Sequence, residues 1–484
     1  MSGALSQALV NACRAKPTQL AIIGDASQLR YGDIDAQARA VCAVLVAAGI
    51  EADEPVHVQV SNQPLDMAAI LGIWLAGAVA VPIHRTTPGE VSQDFARRTQ
   101  ARWAVDLATD RPAGQSLIAI AAKAPAQRVL LRHAALVVFT SGSTGAPKGT
   151  VHTHSSMIQT AELFARPILG MTESDVMFSA AKLFFAYGLG NALSFPLALG
   201  ATTVLMAERP TPAAVFARLR QHRPTLFCGV PTLFAAMLAS PDLPAREELA
   251  LRCATSAGES LPADLGRRLA EHFGIDVLDG IGSTEMLHVF LSNRPGAVRH
   301  GTTGVPVPGY RVRLVDDAGN EVPPGEIGEL QVAGPTSALH YWNNRERSRQ
   351  TFQGEWTSSG DKYRVRPDGY HVYEGRTDDM LKVSGQYVSP VEVESALIGH
   401  PAVLEAAVVA RTDPDGLVKP MAFVVLRPGQ AANEELAETL RQHVKSHLAP
   451  FKYPRWIEFI GELPKTATGK IQRFKLRAQV QTRT

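Results

Sequence analysis

The stretch Val137–Gly149, VVFTSGSTGAPKG, decides how this chain is read. Leu136, Val137, Val138 and Phe139 form the apolar run expected of a buried central strand. Behind it Thr140, Ser141, Ser143 and Thr144 supply hydroxyl donors, and Gly142 and Gly145 let backbone N–H groups approach an anion. Lys148 adds a mobile positive charge, so the loop is suited to cradling phosphates. It is not a Walker loop, which needs Gly-Lys-Ser/Thr opening a helix; here the order is Pro147-Lys148-Gly149-Thr150. Taken alone, the same composition also fits a Ser/Gly surface turn.

The chain has 484 residues, enough for two or more domains around sizeable cores. Its net charge of +2, with 48 basic and 46 acidic residues interspersed, argues against nucleic-acid or membrane-surface partners and for small molecules. Cys13, Cys42, Cys228 and Cys253 lie far apart without CxxC spacing, so neither a zinc site nor a disulfide framework is expected, and a cytoplasmic setting is. The N-terminal segment lacks the pattern of a secretory signal. Met67–Ile83, uncharged throughout, is at the short limit for a membrane span, and Gly77 divides it more naturally into a buried helix and a buried strand.

Strand-like runs alternate with helical stretches up to about residue 330, the α/β pattern. Ala201–Met206 precedes a helical PAAVFARLRQHR, and Thr225–Cys228 precedes a helix over Pro231–Leu238. Tyr310–Val332 reads as a small β-rich unit. After a break at Gly375–Asp379, Ala402–Leu426 reads as a hairpin, and Leu436, Leu440, Val444 and Leu448 place one apolar stripe on a helix. The expected fold class is therefore α/β, with a large multi-sheet N-terminal domain over 1–377 and a small α+β C-terminal domain over 378–484.

Four further segments follow the first loop in order: GIGSTE (Gly280–Glu285), TSSGDK (Thr357–Lys362), GRTDDMLKVSGQYVSPVE (Gly375–Glu392) and LPKTATGKIQ (Leu463–Gln472). Together with TSGSTGAPKG they resemble the signature motifs of the adenylate-forming enzymes: acyl-CoA synthetases, peptide-synthetase adenylation domains and luciferases. The resemblance covers nearly the whole chain and implies ATP, Mg²⁺ and coenzyme A as cofactors. It casts Thr140, Ser141, Gly142, Ser143, Thr144, Gly145, Lys148 and Ser283 as nucleotide-binding, Thr284 as an α-phosphate donor, and Glu285 as the magnesium ligand. Asp361 resembles the aspartate that takes the ribose hydroxyls, Arg376 the arginine near ribose and phosphate, and Lys470 the adenylation lysine. Asp378 matches the hinge about which a mobile C-terminal domain turns between two half-reactions, bringing in the Lys382–Tyr387 segment with Ser384 and Gly385 along the pantetheine arm.

Such a division suits the chemistry. A carboxylate is a poor electrophile, and joining it to AMP supplies a leaving group that a thiol can displace. The first step brings two anions together, so donors and cations must be fixed where charge develops.

KLFFAYGLG (Lys182–Gly190) and GIGSTEMLHVFLSN (Gly280–Asn293) resemble the benzoate-CoA ligases and related aryl-CoA ligases. By that resemblance Ala186 and Tyr187 line a ring pocket, Gly258, Ile281 and Gly282 border it, and His288 lies near the substrate carboxylate. Phe185 stands where many acyl-CoA synthetases carry a gating histidine, and Ile281 replaces a tyrosine that elsewhere stacks on adenine. The region 86–130 is compressed relative to those ligases. The implied function is ATP-dependent activation of an aryl carboxylic acid and its transfer to coenzyme A, by a monomer or homodimer. Transfer to a carrier-protein phosphopantetheine, or non-catalytic acyl-adenylate binding, are the alternatives.

Overall fold

The computed structural model describes residues 11–107, 117–119, 133–140, 147–383, 386–414, 416–465 and 471–481. They divide into two compact units: one holds the described residues up to 140 together with 147–312 and 332–358, the other 313–331 and 359–481.

Among the described residues the first unit contains a nine-stranded and a seven-stranded sheet. In the nine-stranded sheet the strands Asp276–Gly282, Cys253–Ser256, Leu226–Gly229, Val176–Ser179, Thr202–Val204 and Leu20–Ile23 run parallel in that order. Their crossovers include the helices Pro212–His222, Pro231–Leu238 and Ala263–Phe273. Val289–Ser292 then turns back antiparallel on Asp276–Gly282, with a register shift between Ile281 and Gly282. In the seven-stranded sheet Ala134–Phe139, Val79–His84, Pro55–Val60 and Trp103–Val105 are parallel, and Gly149–Thr153 pairs antiparallel with Ala134–Phe139. Continuous apolar runs such as ALVVF are what parallel strands covered on both faces demand.

Met67–Ile83 divides as its composition dictates: the helix Pro64–Leu75 gives way at Gly77, φ +75°, to the strand Val79–His84. Among the described residues no helix is long and apolar enough to cross a membrane. The helix Pro64–Leu75 packs on Tyr31–Ala47, and Gly72 sits at their contact.

In the second unit Val403–Thr412 and Val418–Leu426 form the expected hairpin, and Trp456–Phe459 joins it in parallel. Period-two alternation sends Ala406, Val408, Ala422 and Val424 to one face, with Val393, Leu397, Leu440 and Val444. Ala407, Val409, Met421 and Phe423 face the other way, with Leu476 and Val480. The sheet is thus covered on both sides. The helix Glu434–His447 buries Leu440 and Val444 and leaves Leu436 and Leu448 at the edge of that core.

A Cβ on Gly72 would stand 2.5 Å from Val41 Cβ and 2.7 Å from the Ala38 carbonyl oxygen, so the two helices touch because this residue has no side chain. Gly72→Ala is expected to destabilise the first unit by about 1–3 kcal/mol through overpacking, despite the better helix propensity of alanine. A lowered urea midpoint for the unfolding transition of that unit measures it; an unchanged or raised midpoint would show that the helices separate at no cost.

Candidate active site

Two antiparallel strands create the site in the first unit. Asp276–Gly282 leaves the parallel sheet and Val289–Ser292 returns beside it, and the connection between them carries Ser283, Thr284, Glu285 and His288. The connection is pinned at several points. His152 Nε2 donates to the Thr284 carbonyl at 2.7 Å, Thr336 Oγ1 to the Met286 carbonyl at 2.7 Å, and the Ala338 N–H to the Glu285 carbonyl at 2.8 Å. Ser283 Oγ accepts from the Met286 N–H at 3.1 Å. Burial pushes the His152 pKa down to about 4, so its imidazole is a neutral structural donor.

The loop of the first motif is closed at its base. Thr140 N donates to the Lys148 carbonyl at 2.9 Å, and Phe139 lies opposite Gly149 in the antiparallel ladder. Ser141, Gly142, Ser143, Thr144 and Gly145 lie outside the described residues. Lys148 Nζ is 3.4 Å from Tyr341 Oη and 4.6 Å above the Tyr341 ring, and that hydroxyl donates to Glu285 Oε1. Tyr341 thus joins the loop lysine to the candidate metal ligand. Burial and the Glu285 carboxylate together raise the pKa of this phenol, keeping it a donor.

The ring-side residues also converge. Tyr187 and His288 stack with centroids 5.5 Å apart and planes at 30°; Phe195 and Phe164 approach His288 at 4.6 and 5.4 Å. Tyr187 Oη shares a 2.6 Å hydrogen bond with Thr255 Oγ1, and His288 Nε2 lies 3.2 Å from Asn191 Oδ1. Burial pushes His288 down to about 3, so it contributes a flat neutral ring and no positive charge. Two glycines admit it: a Cβ on Gly190 would lie 2.3 Å from His288 Cδ2, and one on Gly282 would lie 2.5 Å from the His288 carbonyl oxygen. Ala186 is buried beside Tyr187, Ile281 is half-buried opposite Leu291, and Gly258 is exposed at φ +93° just after the strand Cys253–Ser256.

In the second unit Asp361 and Arg376 face each other across an antiparallel ladder, and Arg376 Nη1 donates to Asp361 Oδ1 at 2.9 Å. Asp378 is exposed on the short turn Thr377–Asp379. Ser384, Gly385 and Lys470 lie outside the described residues.

Tyr341, Asn191 and Thr255 were not legible as site residues. Their partners are 56, 97 and 68 positions away, and only Tyr341, in HYWNN, is a buried-type aromatic amid polar neighbours.

Comparison with known proteins gives the family. The AMP-binding enzyme family matches residues 9–342, and the AMP-binding enzyme C-terminal domain matches residues 392–470. A benzoate–CoA ligase of Thauera aromatica is 69% identical over 70% of this chain, and a 4-hydroxybenzoate–CoA/benzoate–CoA ligase of Rhodopseudomonas palustris is 55% identical over 70%. The chain spans 65% and 63% of the length of those two relatives, just under two thirds. The solved structure of a benzoate CoA ligase from Burkholderia xenovorans LB400 superposes with a TM-score of 0.88 at 49% identity, covering 98% of this chain and 99% of that one. A pinned connection carrying Glu285, an aromatic slot beside it and a family match over most of the length lead to one conclusion: the chain belongs to the AMP-binding, adenylate-forming enzymes.

Proposed function

We propose that this chain is an AMP-forming ligase that joins an aryl carboxylic acid of benzoate type to coenzyme A. The observation that carries the reading is the connection 283–288, which holds a carboxylate beside the phosphate loop at Glu285 and an aromatic, polar-poor wall at His288. In the first half-reaction the acid oxygen attacks the α-phosphorus of ATP and pyrophosphate leaves. In the second the thiolate of coenzyme A attacks the acyl carbon of the aroyl-AMP and AMP leaves. The similarity to benzoate–CoA ligases supports the acid class and the acceptor.

The residues present fit a magnesium ion. A hard ion of this kind takes one carboxylate together with substrate phosphate oxygens, and Glu285, held through its Oε1 by the Tyr341 hydroxyl, would supply the carboxylate. Bound there, it would offset the charge that builds on the phosphates. Tyr341 holds one Glu285 oxygen in place and lies against Lys148, and by the family resemblance Lys148 and Thr284 would meet the anionic substrate. Asp361 and Arg376 take the ribose side, and Lys470 completes the adenylating set. The domain boundary at 378, rotation about Asp378, passage of the pantetheine arm by Ser384 and Gly385, a cytoplasmic setting and a monomeric or homodimeric enzyme belong to the same proposal.

Lys470→Ala should reduce benzoate-dependent pyrophosphate release by about a hundredfold or more, as loss of a charge-stabilising donor does, while thiolysis of supplied benzoyl-AMP persists. Near-normal adenylation by the variant would remove Lys470 from its role.

Tyr341→Phe removes the hydroxyl that joins Lys148 to Glu285 and should lower kcat for adenylation about ten- to hundredfold, the scale of a hydrogen bond to a charged group. Its requirement for magnesium should rise with it. Titration of activity against magnesium checks this, and an unshifted midpoint with full kcat refutes it.

A panel of acids scored by pyrophosphate release, with and without coenzyme A, tests the substrate class. Benzoate should exceed acetate, which leaves apolar wall unfilled at roughly 25 cal/mol per Å², and should exceed palmitate, which the slot excludes. Tyr187→Ala should lower kcat/KM for benzoate and admit bulkier rings. Preference for a long-chain acid would overturn the aryl assignment, and AMP release that needs a carrier protein in place of coenzyme A would change the acceptor.

A further inference from the structure

The segment that carries Phe184, Phe185, Ala186 and Tyr187 is folded tightly on itself. The Phe185 N–H donates to the Lys182 carbonyl at 3.0 Å, and a Cβ on Gly188 would lie 2.1 Å from that same oxygen. Its outer rings pack on other rings: Phe184 lies 4.8 Å from His84 and 4.1 Å from Phe185 between centroids. Such contacts set no direction, and a segment held by them alone would have several arrangements of similar energy.

Two side chains remove that freedom. Asn62 Oδ1 accepts from the Leu183 N–H at 2.8 Å, and Asn62 Nδ2 donates to the Met206 carbonyl at 3.2 Å. The Lys182 ammonium donates to the same Met206 carbonyl, to Ala207 O at 3.2 Å and to Glu208 O at 2.6 Å. Lys182 directly, and its neighbour Leu183 through Asn62, therefore meet at one carbonyl, just beyond the strand Thr202–Val204. Asn62 is itself held in place. It is 3% exposed with φ +65°, a conformation asparagine tolerates better than most residues. The buried Asp66 carboxylate fixes the turn on both sides of it, accepting from Ser61 N at 2.7 Å and Gln63 N at 2.8 Å. Burial lowers the Lys182 pKa to about 8, with Arg218 adding to the effect and Asp25 and Glu208 opposing it, and the ammonium donates to three carbonyls.

We infer that Asn62 and Lys182 are positioning residues for the ring pocket: they lock the Leu183–Tyr187 segment onto Met206–Glu208, so the width of the slot is set before the acid binds. The inference rests on the aryl-ligase reading. Fixing the backbone of a residue costs on the order of 1–2 kcal/mol, so a wall ordered in advance spares substrate binding that cost. Neither residue belongs to the motifs assigned to the nucleotide, so the effect is expected on the acid.

The test uses the full-length enzyme. Asn62→Gly retains the positive φ and removes the amide; Lys182→Met retains the stem and removes the donors. In each variant KM for benzoate should rise about tenfold, the scale of one or two lost hydrogen bonds, with KM for ATP within about twofold. The ratio of kcat/KM for benzoate over a para-substituted benzoate should fall, and amide hydrogen exchange at residues 183–187 should accelerate. Equal increases in both KM values, or a lower melting temperature with benzoate KM unchanged, would make the pair merely structural and overturn the inference. If Lys182→Met does not fold, Asn62→Gly decides. If wild-type enzyme releases no pyrophosphate with any aryl acid, the parent reading fails; exchange at 183–187 then judges the clamp by itself, and unchanged exchange in Asn62→Gly overturns it.

Discussion

The hydrogen bond from His152 to the Thr284 carbonyl, 2.7 Å long, is the tie on which the site depends. His152 belongs to the antiparallel strand of the seven-stranded sheet, and Thr284 to the connection that leaves the nine-stranded one. The strand Gly149–Thr153 that carries His152 also follows directly on Lys148, so one imidazole relates that strand to the connection carrying Glu285. Its full burial keeps the ring neutral, which suits a donor to a carbonyl. A charged imidazole here would face a desolvation cost with no carboxylate bonded to it. Tyr341 closes the same arrangement on the side-chain level, between Lys148 and Glu285.

Much of this was legible in the sequence, and for a definable reason. The elements around the site are written locally: ALVVF as a buried strand, Gly77 as the break after a helix, and period-two alternation in Val403–Leu426. The motifs carrying Glu285, Tyr187 and His288 are also contiguous runs, and the structure brings Tyr187 and His288 into contact. What could not be read is whatever depends on long-range pairing. Asn62 meets Leu183 across 121 positions, and Asn191 meets His288 across 97. No periodicity links such residues, and an asparagine in SNQP looks like any turn residue until its φ and burial are known. The small β-rich stretch after Tyr310 is a similar case. Residues 313–331 group with 359–481, and chain order gives no hint of that association.

Glycine shapes the site by subtraction. At Gly190 a methyl group would meet the His288 ring at 2.3 Å, and at Gly282 one would meet the His288 backbone carbonyl oxygen at 2.5 Å, so one glycine makes room for the ring and the other for the returning chain. Sequence inspection finds a glycine easily. It does not find the neighbour for which the glycine makes room.

The polarity around Tyr187 follows from strand register. Thr255, partner of the Tyr187 hydroxyl, lies opposite Cys228 in a parallel ladder in which Leu226, Phe227, Cys228 and Gly229 face Cys253, Ala254, Thr255 and Ser256. Side chains alternate along a strand, so a slip of one residue would present Ala254 where Thr255 stands. The Tyr187 hydroxyl, which burial holds well above its ordinary pKa and therefore protonated, would then lose its bond to Thr255 and keep only the Asn191 and Cys228 side chains beside it. One such hydrogen bond is worth about 0.5–1.5 kcal/mol. The pairing of two central strands, far from the loops in sequence, is thus what turns the polar atom of Tyr187 toward Thr255 and leaves its ring face against His288 as the apolar wall.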